Sequence, residues 1–441
     1  MVLVSSDLDK RNLNELEYMN WTLGQPYNIS MAITIRGSVD KARLRNALNK
    51  VQVRHPLLRA QVLVEEKSEP YFIWPDSIDT IPLEIITRES PEQKKGVVER
   101  EFITPFETGT ECLNPLIRTK LLYSESESDL IVTMLHIICD GFSMVYLIGD
   151  LLSFMEFPDL EFEILEVVKD TEDILPLSFQ KKIPKTTIRF KLIFALVKFI
   201  VSLKWLKNRL FSKEQSQKQM MITDVADKNL MTISWRLDRK KTTQLIKNCK
   251  NHKISVHSAL CTAFLRFFPT INNPVNVRDR LAYPVGNSVG LYASGAVIKQ
   301  KYNLNKSFWE NATKYHKKLR KKLKGNAVFT IYKTFSRVVP LESIEKFGPL
   351  FLELASNSQP FGVTNLGSLD KLKINSISSE LDVVDLYGGV SSTIDALVAV
   401  IFTINSRIHF HVHYYEPTHT KDEVEQYIRG VRDILQETLL E

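Results

Sequence analysis

Cysteine is scarce in this sequence: Cys112, Cys139, Cys249 and Cys261 stand far apart, with no CxxC pair. That spacing argues against a zinc ribbon or a thioredoxin-like redox pair and suits reduced thiols in an intracellular chain. The opening Met-Val-Leu-Val-Ser-Ser-Asp-Leu-Asp-Lys lacks the apolar stretch of a secretory signal. A run long enough to cross a bilayer is also missing. The apolar stretch Leu192 to Leu203 has one charge in twelve residues, but a helix of that length falls short of a hydrocarbon core of about 30 Å. No repeat at a solenoid period and no recognisable nucleic-acid-binding motif is present.

What is there reads as globular, with 44% hydrophobic and 25% charged residues. A chain of 441 residues favours two lobes, each of roughly 200 residues. The net charge of +7 is unevenly spread: residues 181–220 hold eleven Lys or Arg and one Glu, which leaves the rest of the chain at −3. We therefore divide the chain into a first lobe (1–165), a connection (166–222) and a second lobe (223–441). The basic amphipathic segment 181–218 fits either of two arrangements. It is a surface helix docked on the fold with its lysines in water, or a membrane-facing element whose lysines and Trp205 suit an anionic bilayer. The run Lys314 to Lys324 is a second basic patch, suited to a phosphorylated donor.

Hydropathy patterning predicts a helix near Leu13 to Met19 and a strand at Ile29 to Ile35. It predicts a helix from Asp40 to Pro56, with Leu44, Ala47, Leu48 and Val51 on one face. Leu130 to Leu135 reads as a buried strand, followed at once by His136, then the turn Asp140-Gly141, then a helix from Met144 to Leu152. In the second lobe we expect a strand at Met231 to Leu237 and helices at Arg239 to Asn251 and Ser255 to Phe268. A hairpin at Leu397 to Tyr415 turns on Asn405-Ser406, and a final helix runs from Lys421 to Leu440. His409, His411 and His413 alternate and so share one strand face, but the clean apolar face between them needs no metal, and none is expected. His55 reads as a helix-end residue.

A histidine at the end of a rigid strand is suited to base chemistry near neutral pH, because its unperturbed pKa is about 6.5. The segment His136-Ile-Ile-Cys-Asp140-Gly141 resembles the HxxxDG motif of the chloramphenicol-acetyltransferase-like superfamily. That group includes condensation domains, phthiocerol-type acyltransferases and alcohol acyltransferases. Arg54-His55-Pro56-Leu57-Leu58-Arg59 resembles the RHxxLR of condensation domains. Pro274-Val-Asn-Val-Arg278-Asp-Arg280 resembles the second-lobe strand whose arginine pairs with the motif aspartate, and Thr364-Asn365-Leu366-Gly367 resembles the N-x-G element of the crossover loop. Leu135 stands where condensation domains usually carry a first histidine, and the DFGWG of plant acyltransferases is missing.

The resemblance implies an α/β fold of two lobes with mixed β-sheets, forming a V-shaped pseudo-dimer. It makes His136 the general base, Asp140 and Arg278 a structural pair, Gly141 a point of close backbone approach, and Asn365 and Gly367 part of the crossover loop. It implies acyl transfer from a thioester, on coenzyme A or a phosphopantetheine arm, and the basic amphipathic segment makes the hydroxyl of a lipid-like molecule the expected acceptor. No cofactor would be held permanently. Amide formation on a carrier-bound amine, or a non-catalytic module that gathers acyl carrier protein, are the alternative readings. A cytoplasmic enzyme with peripheral membrane contact through 181–218, and without nucleic-acid partners, is the expected setting.

Overall fold

In the computed structural model, residues 10–65, 68–109, 112–168, 175–180, parts of 192–206, 229–330, 332, 360–372, 382–391 and 396–439 are described. The rest of the basic segment, 181–191 and 207–218, lies outside them. Two large mixed sheets organise the chain. The first has the order β12 (Asp382–Val390), β2 (Asn28–Arg36), β7 (Glu127–Leu135), β6 (Ile117–Tyr123), β5 (Leu83–Thr87). The second has the order β10 (Ala293–Lys299), β9 (Thr270–Asn276), β11 (Phe361–Ser368), β13 (Val398–Ile404), β14 (Arg407–Glu416), β8 (Asn229–Leu237). A small sheet joins β1 (Lys10–Asn12), β4 (Tyr71–Ile73) and β3 (Gln61–Leu63).

The run that ends at Leu135 is buried on both faces, which is why it reads as continuously apolar rather than alternating. On one face lie α2 (Lys41–Arg54) and α4 (Gly141–Glu156), whose Leu44, Leu48, Val51, Leu147, Ile148 and Leu151 share a core with Val132 and Met134. Burying each such side chain contributes about 1.5–3 kcal/mol. Against the other face packs α3 (Gln93–Ile103), whose Val98 and Phe102 meet Ala32 and Ile131 together with Tyr387 and Tyr415 from the far end of the chain. Asp40 caps α2 by accepting from the backbone N–H groups of Ala42 and Arg43 at 2.8 and 3.1 Å. The helix stops at Arg54 because the residue before Pro56 is pushed out of helical geometry, and His55 has φ −109° and ψ 97°.

Helices α6 (Arg239–Asn251), α7 (Val256–Leu265), α8 (Phe308–Lys324) and α9 (Lys421–Glu437) follow α1 (Glu15–Thr22) and the short α5 (Leu177–Gln180), and α6–α9 all contribute to the second lobe's core. The hairpin between β13 and β14 turns on Asn405 and Ser406, both at positive φ (51° and 58°), as a two-residue turn of the tight kind requires. Two expectations shift. The segment around Arg278 is a strand only as far as Asn276, after which Arg278–Arg280 forms a 3-10 turn. Thr364 to Gly367 lies within β11, whose register with β13 slips between Asn365 and Ser368, where Gly367 takes φ 73°.

The first sheet is not completed by the first half of the chain. Its edge strand β12 runs antiparallel to the whole of β2, from Asp382 beside Arg36 to Val390 beside Ile29. The molecule is thus a two-lobe mixed α/β structure in which the second half of the sequence lends a strand to the first.

Candidate active site

Strand β7 fixes the direction from which His136 enters the site. The His136 N–H donates to the Tyr27 carbonyl at 2.8 Å, and Leu135 and Ile138 close a tight turn at 3.1 Å. The imidazole Nδ1 lies 2.8 Å from the Cys139 carbonyl. A carbonyl only accepts, so Nδ1 carries the proton and the lone pair is on Nε2. The ring is half-buried and tilted against Tyr27, with centroids 4.7 Å apart. Burial holds its pKa below the ordinary histidine value, so it is neutral at neutral pH. The same desolvation lifts the Tyr27 hydroxyl to about 12 and the Cys139 thiol well above its usual range, which leaves both protonated.

Asp140 does not turn to the histidine. It caps α4, accepting from the Ser143 N–H at 2.7 Å, and it receives the Tyr292 N–H at 2.9 Å and Arg278 Nη1 at 2.8 and 3.1 Å. Both charged side chains are 4% exposed. A buried ion pair of this kind is tolerated because its remaining hydrogen-bonding groups are mostly met. Arg278 Nη2 donates to Ser143 Oγ at 2.5 Å and to the Ser288 carbonyl at 3.3 Å, with the rings of Tyr292 and Tyr146 nearby. Ser143 Oγ in turn donates to the Gly290 carbonyl at 2.6 Å. The turn that carries His136 is therefore bolted to the second lobe through residues 278–292.

The structure brings Asp140, Gly141 and Arg278 together at the start of α4. Gly141 is constrained by contact: a Cβ there would lie 2.8 Å from the Leu366 side chain. Leu366, between Asn365 and Gly367, is buried in the first lobe's core, so β11 reaches across to the motif. Asn365 Oδ1 accepts from the Gly367 N–H at 2.8 Å, which makes it an Asx-type turn residue. Tyr27, Ser143 and Tyr292 were not singled out from sequence, and Leu366 was quoted only as part of its motif. Of these only Ser143 carried a signal, as the third residue after a capping Asp.

His55 lies at the helix end, 3.0 Å from Asp150 through Nε2 and accepting the Val289 N–H on Nδ1 at 3.2 Å, fully buried. His409, His411 and His413 are buried, facing β12 and α3. Among the described residues no group of three His, Cys, Asp or Glu is arranged to hold a metal ion. No described helix is long and apolar enough to cross a membrane.

Residues 19–156 match the family of the Condensation domain. Surfactin synthase subunit 2 of Bacillus subtilis (strain 168) is 31% identical over 150 residues, covering 34% of this chain and 4% of that protein. Tyrocidine synthase 3 of Brevibacillus parabrevis is 33% identical over 139 residues, covering 31% of this chain and 2% of that one. The chain thus corresponds to a small part of these synthases. Solved structures match along nearly all of it. The trichothecene 15-O-acetyltransferase of Fusarium sporotrichioides aligns with TM-score 0.68 at 12% identity, covering 97% of this chain and 94% of that one. Polyketide synthase associated protein 5 of Mycobacterium tuberculosis aligns with TM-score 0.64 at 14% identity, covering 97% and 98%. The first condensation domain of the CDA synthetase aligns with TM-score 0.62 at 14% identity, covering 98% and 96%. Residues 19–156 thus carry condensation-domain sequence, and along nearly its whole length the chain has the two-lobe fold of these acetyltransferases and condensation domains.

Proposed function

We propose that this chain is an acyltransferase in which His136 Nε2 acts as general base. The acceptor hydroxyl gives its proton to Nε2 as its oxygen attacks the thioester carbonyl carbon. The tetrahedral oxyanion then collapses, the carbon–sulfur bond breaks, and the protonated imidazole returns the proton to the leaving thiolate. The acceptor attacks directly, so no acyl-enzyme is formed. The observation that carries the reading is the Nδ1–H to Cys139 carbonyl bond, which leaves Nε2 as the free basic nitrogen of a half-buried ring at a strand end. Asp140 and Arg278 are positioning residues that hold the turn, and Gly141 admits Leu366 beside it. Asn365 and Gly367 shape the β11 bulge over the site.

The donor is a thioester, on coenzyme A or on a phosphopantetheine arm, and the chain holds no resident cofactor. A hydroxyl on a lipid-like molecule is the proposed acceptor, which places the enzyme in the cytoplasm at a membrane surface. The shared fold with a 15-O-acetyltransferase supports a hydroxyl acceptor. A second reading, amide formation on a carrier-bound amine with an acyl carrier protein as partner, is favoured by the synthases that match residues 19–156.

The test is thiol release from short- to long-chain acyl-coenzyme A donors with lipid alcohols, in the native protein and in His136→Ala. Acceptor-dependent release that falls by about a hundredfold or more in the variant supports the mechanism, as loss of a general base requires. Release only from carrier-bound donors to amines moves the assignment to the second reading, and release indifferent to His136 overturns it.

A further inference from the structure

A soluble helix hides its apolar face, but the described part of residues 192–206 shows it. Residues 192, 194–196, 198–203 and 206 are helical. Leu192, Leu196, Phe199, Ile200, Leu203 and Leu206 recur at the spacing of one helix face. Their exposures are 67%, 60%, 61%, 51%, 52% and 46%. Val201, which falls on the opposite side of that helix, is 3% exposed. The described part of the helix therefore turns its wide apolar side outward and buries the opposite side at Val201. Of the two arrangements drawn from the sequence, this exposure favours the membrane-facing one.

Charge decides what the outward face fits. The surrounding sequence 181–220 is nearly all cationic where it is charged, with eleven Lys or Arg against one Glu. A protein partner seated on this face would have to match both a long apolar ridge and dense positive charge. An anionic lipid surface offers both at once, acyl chains under the ridge and phosphate headgroups for the lysines. The segment is too short and too charged at its ends to span, which leaves it lying in the interface plane.

We propose that the described residues of 192–206 form a docking ridge that seats the protein on an anionic membrane, with Leu196, Phe199, Ile200 and Leu203 entering the headgroup boundary. Burial of these side chains and attraction of the cationic residues adjacent in sequence to an anionic surface act in the same direction. Together these suffice for reversible binding. The ridge gives a lipid-like acceptor a place to be met, but it stands on its own observation and its test needs no acyl transfer.

The experiment is flotation of the full chain with vesicles of phosphatidylcholine alone and with part of the lipid replaced by phosphatidylglycerol, at low and high salt. The variants are Phe199→Asp with Leu203→Asp, and as control Val64→Asp with Leu304→Asp, which are exposed apolar residues elsewhere. The native protein and the control should float with the anionic vesicles, less so at high salt. Partitioning of the ridge variant should fall by about tenfold or more, with its melting temperature unchanged. Equal flotation of the ridge variant, or no flotation of the native protein, overturns the proposal. A native dimer that the ridge variant turns into a monomer, without vesicle binding, would instead make this face an interface between two copies.

Discussion

His136 and His413 are both imidazoles whose pKa burial has lowered, yet the protein surrounds them in opposite ways. His136 has Nδ1 tied to a backbone carbonyl, Nε2 unused, and a half-exposed ring at a strand end. His413 is 1% exposed, has Nδ1 3.0 Å from the Thr232 hydroxyl, packs edge-on to Phe102, and leaves Nε2 buried without a hydrogen-bond partner. A lowered pKa keeps either ring neutral. On the proposed mechanism, only the first offers its basic nitrogen to an acceptor. The second is part of the packing between the two sheets, where its cost is carried by the fold.

The widest separation between the two should come from activity. His136→Ala should lower acyl transfer by about a hundred- to ten-thousand-fold with little change in the melting curve, whereas His413→Phe should act on stability and leave the chemistry largely in place. Paired kinetics and thermal melts decide this. Next comes the anchor of the His136 turn. Asp140→Ala would strand a buried Arg278 and should cost about 3–5 kcal/mol in denaturant unfolding, an effect that Arg278→Met in the same chain should partly relieve.

The acid response sharpens the contrast from the side of His413. Burial pushes its folded pKa down to about 4 from the ordinary histidine value of about 6.5. Between those values the unfolded chain binds a proton that the folded chain does not, so stability falls as pH drops from about 6.5 towards 4, by about 3 kcal/mol for this one group. His411, held well below its usual value by burial and by its two histidine neighbours, acts in the same direction. Urea unfolding at stepped pH should show this slope, and His413→Phe should flatten it. The kcat/KM profile should lose activity only below about pH 6.5, because His136 is lowered as well. The smallest effect is expected at Gly389, where an added Cβ would run into the His413 ring. Gly389→Ala should cost about 1–3 kcal/mol with activity per folded molecule unchanged.

Much of the site was legible because it is local in sequence. An apolar run, a histidine and a capping Asp-Gly within a dozen residues describe a strand, a turn and a helix start. Arg278 was reached only through family resemblance, since 138 residues separate it from Asp140. Tyr292 was missed for the same reason, and the contact of Leu366 with Gly141 was not foreseen although its segment was quoted: hydropathy periodicity reports which face of an element is buried but not what buries it. Strand β12 was also missed. Its sequence Asp-Val-Val-Asp-Leu-Tyr-Gly-Gly-Val mixes two acids and two glycines into nine residues, a poor strand by propensity. The glycines are needed because β12 lies against Ser30, Met31 and His413, where a Cβ at 388 or 389 would collide.

That borrowed strand also sets a timetable for synthesis. Until Asp382 to Val390 has left the ribosome, β2 has one side paired with β7 and the eight residues Ile29 to Arg36 open on the other. A long apolar edge of this kind invites pairing with other chains. The half of the protein translated first is therefore the last to be sealed, and a nascent chain that stalls before residue 382 should depend on chaperones in a way the finished one does not.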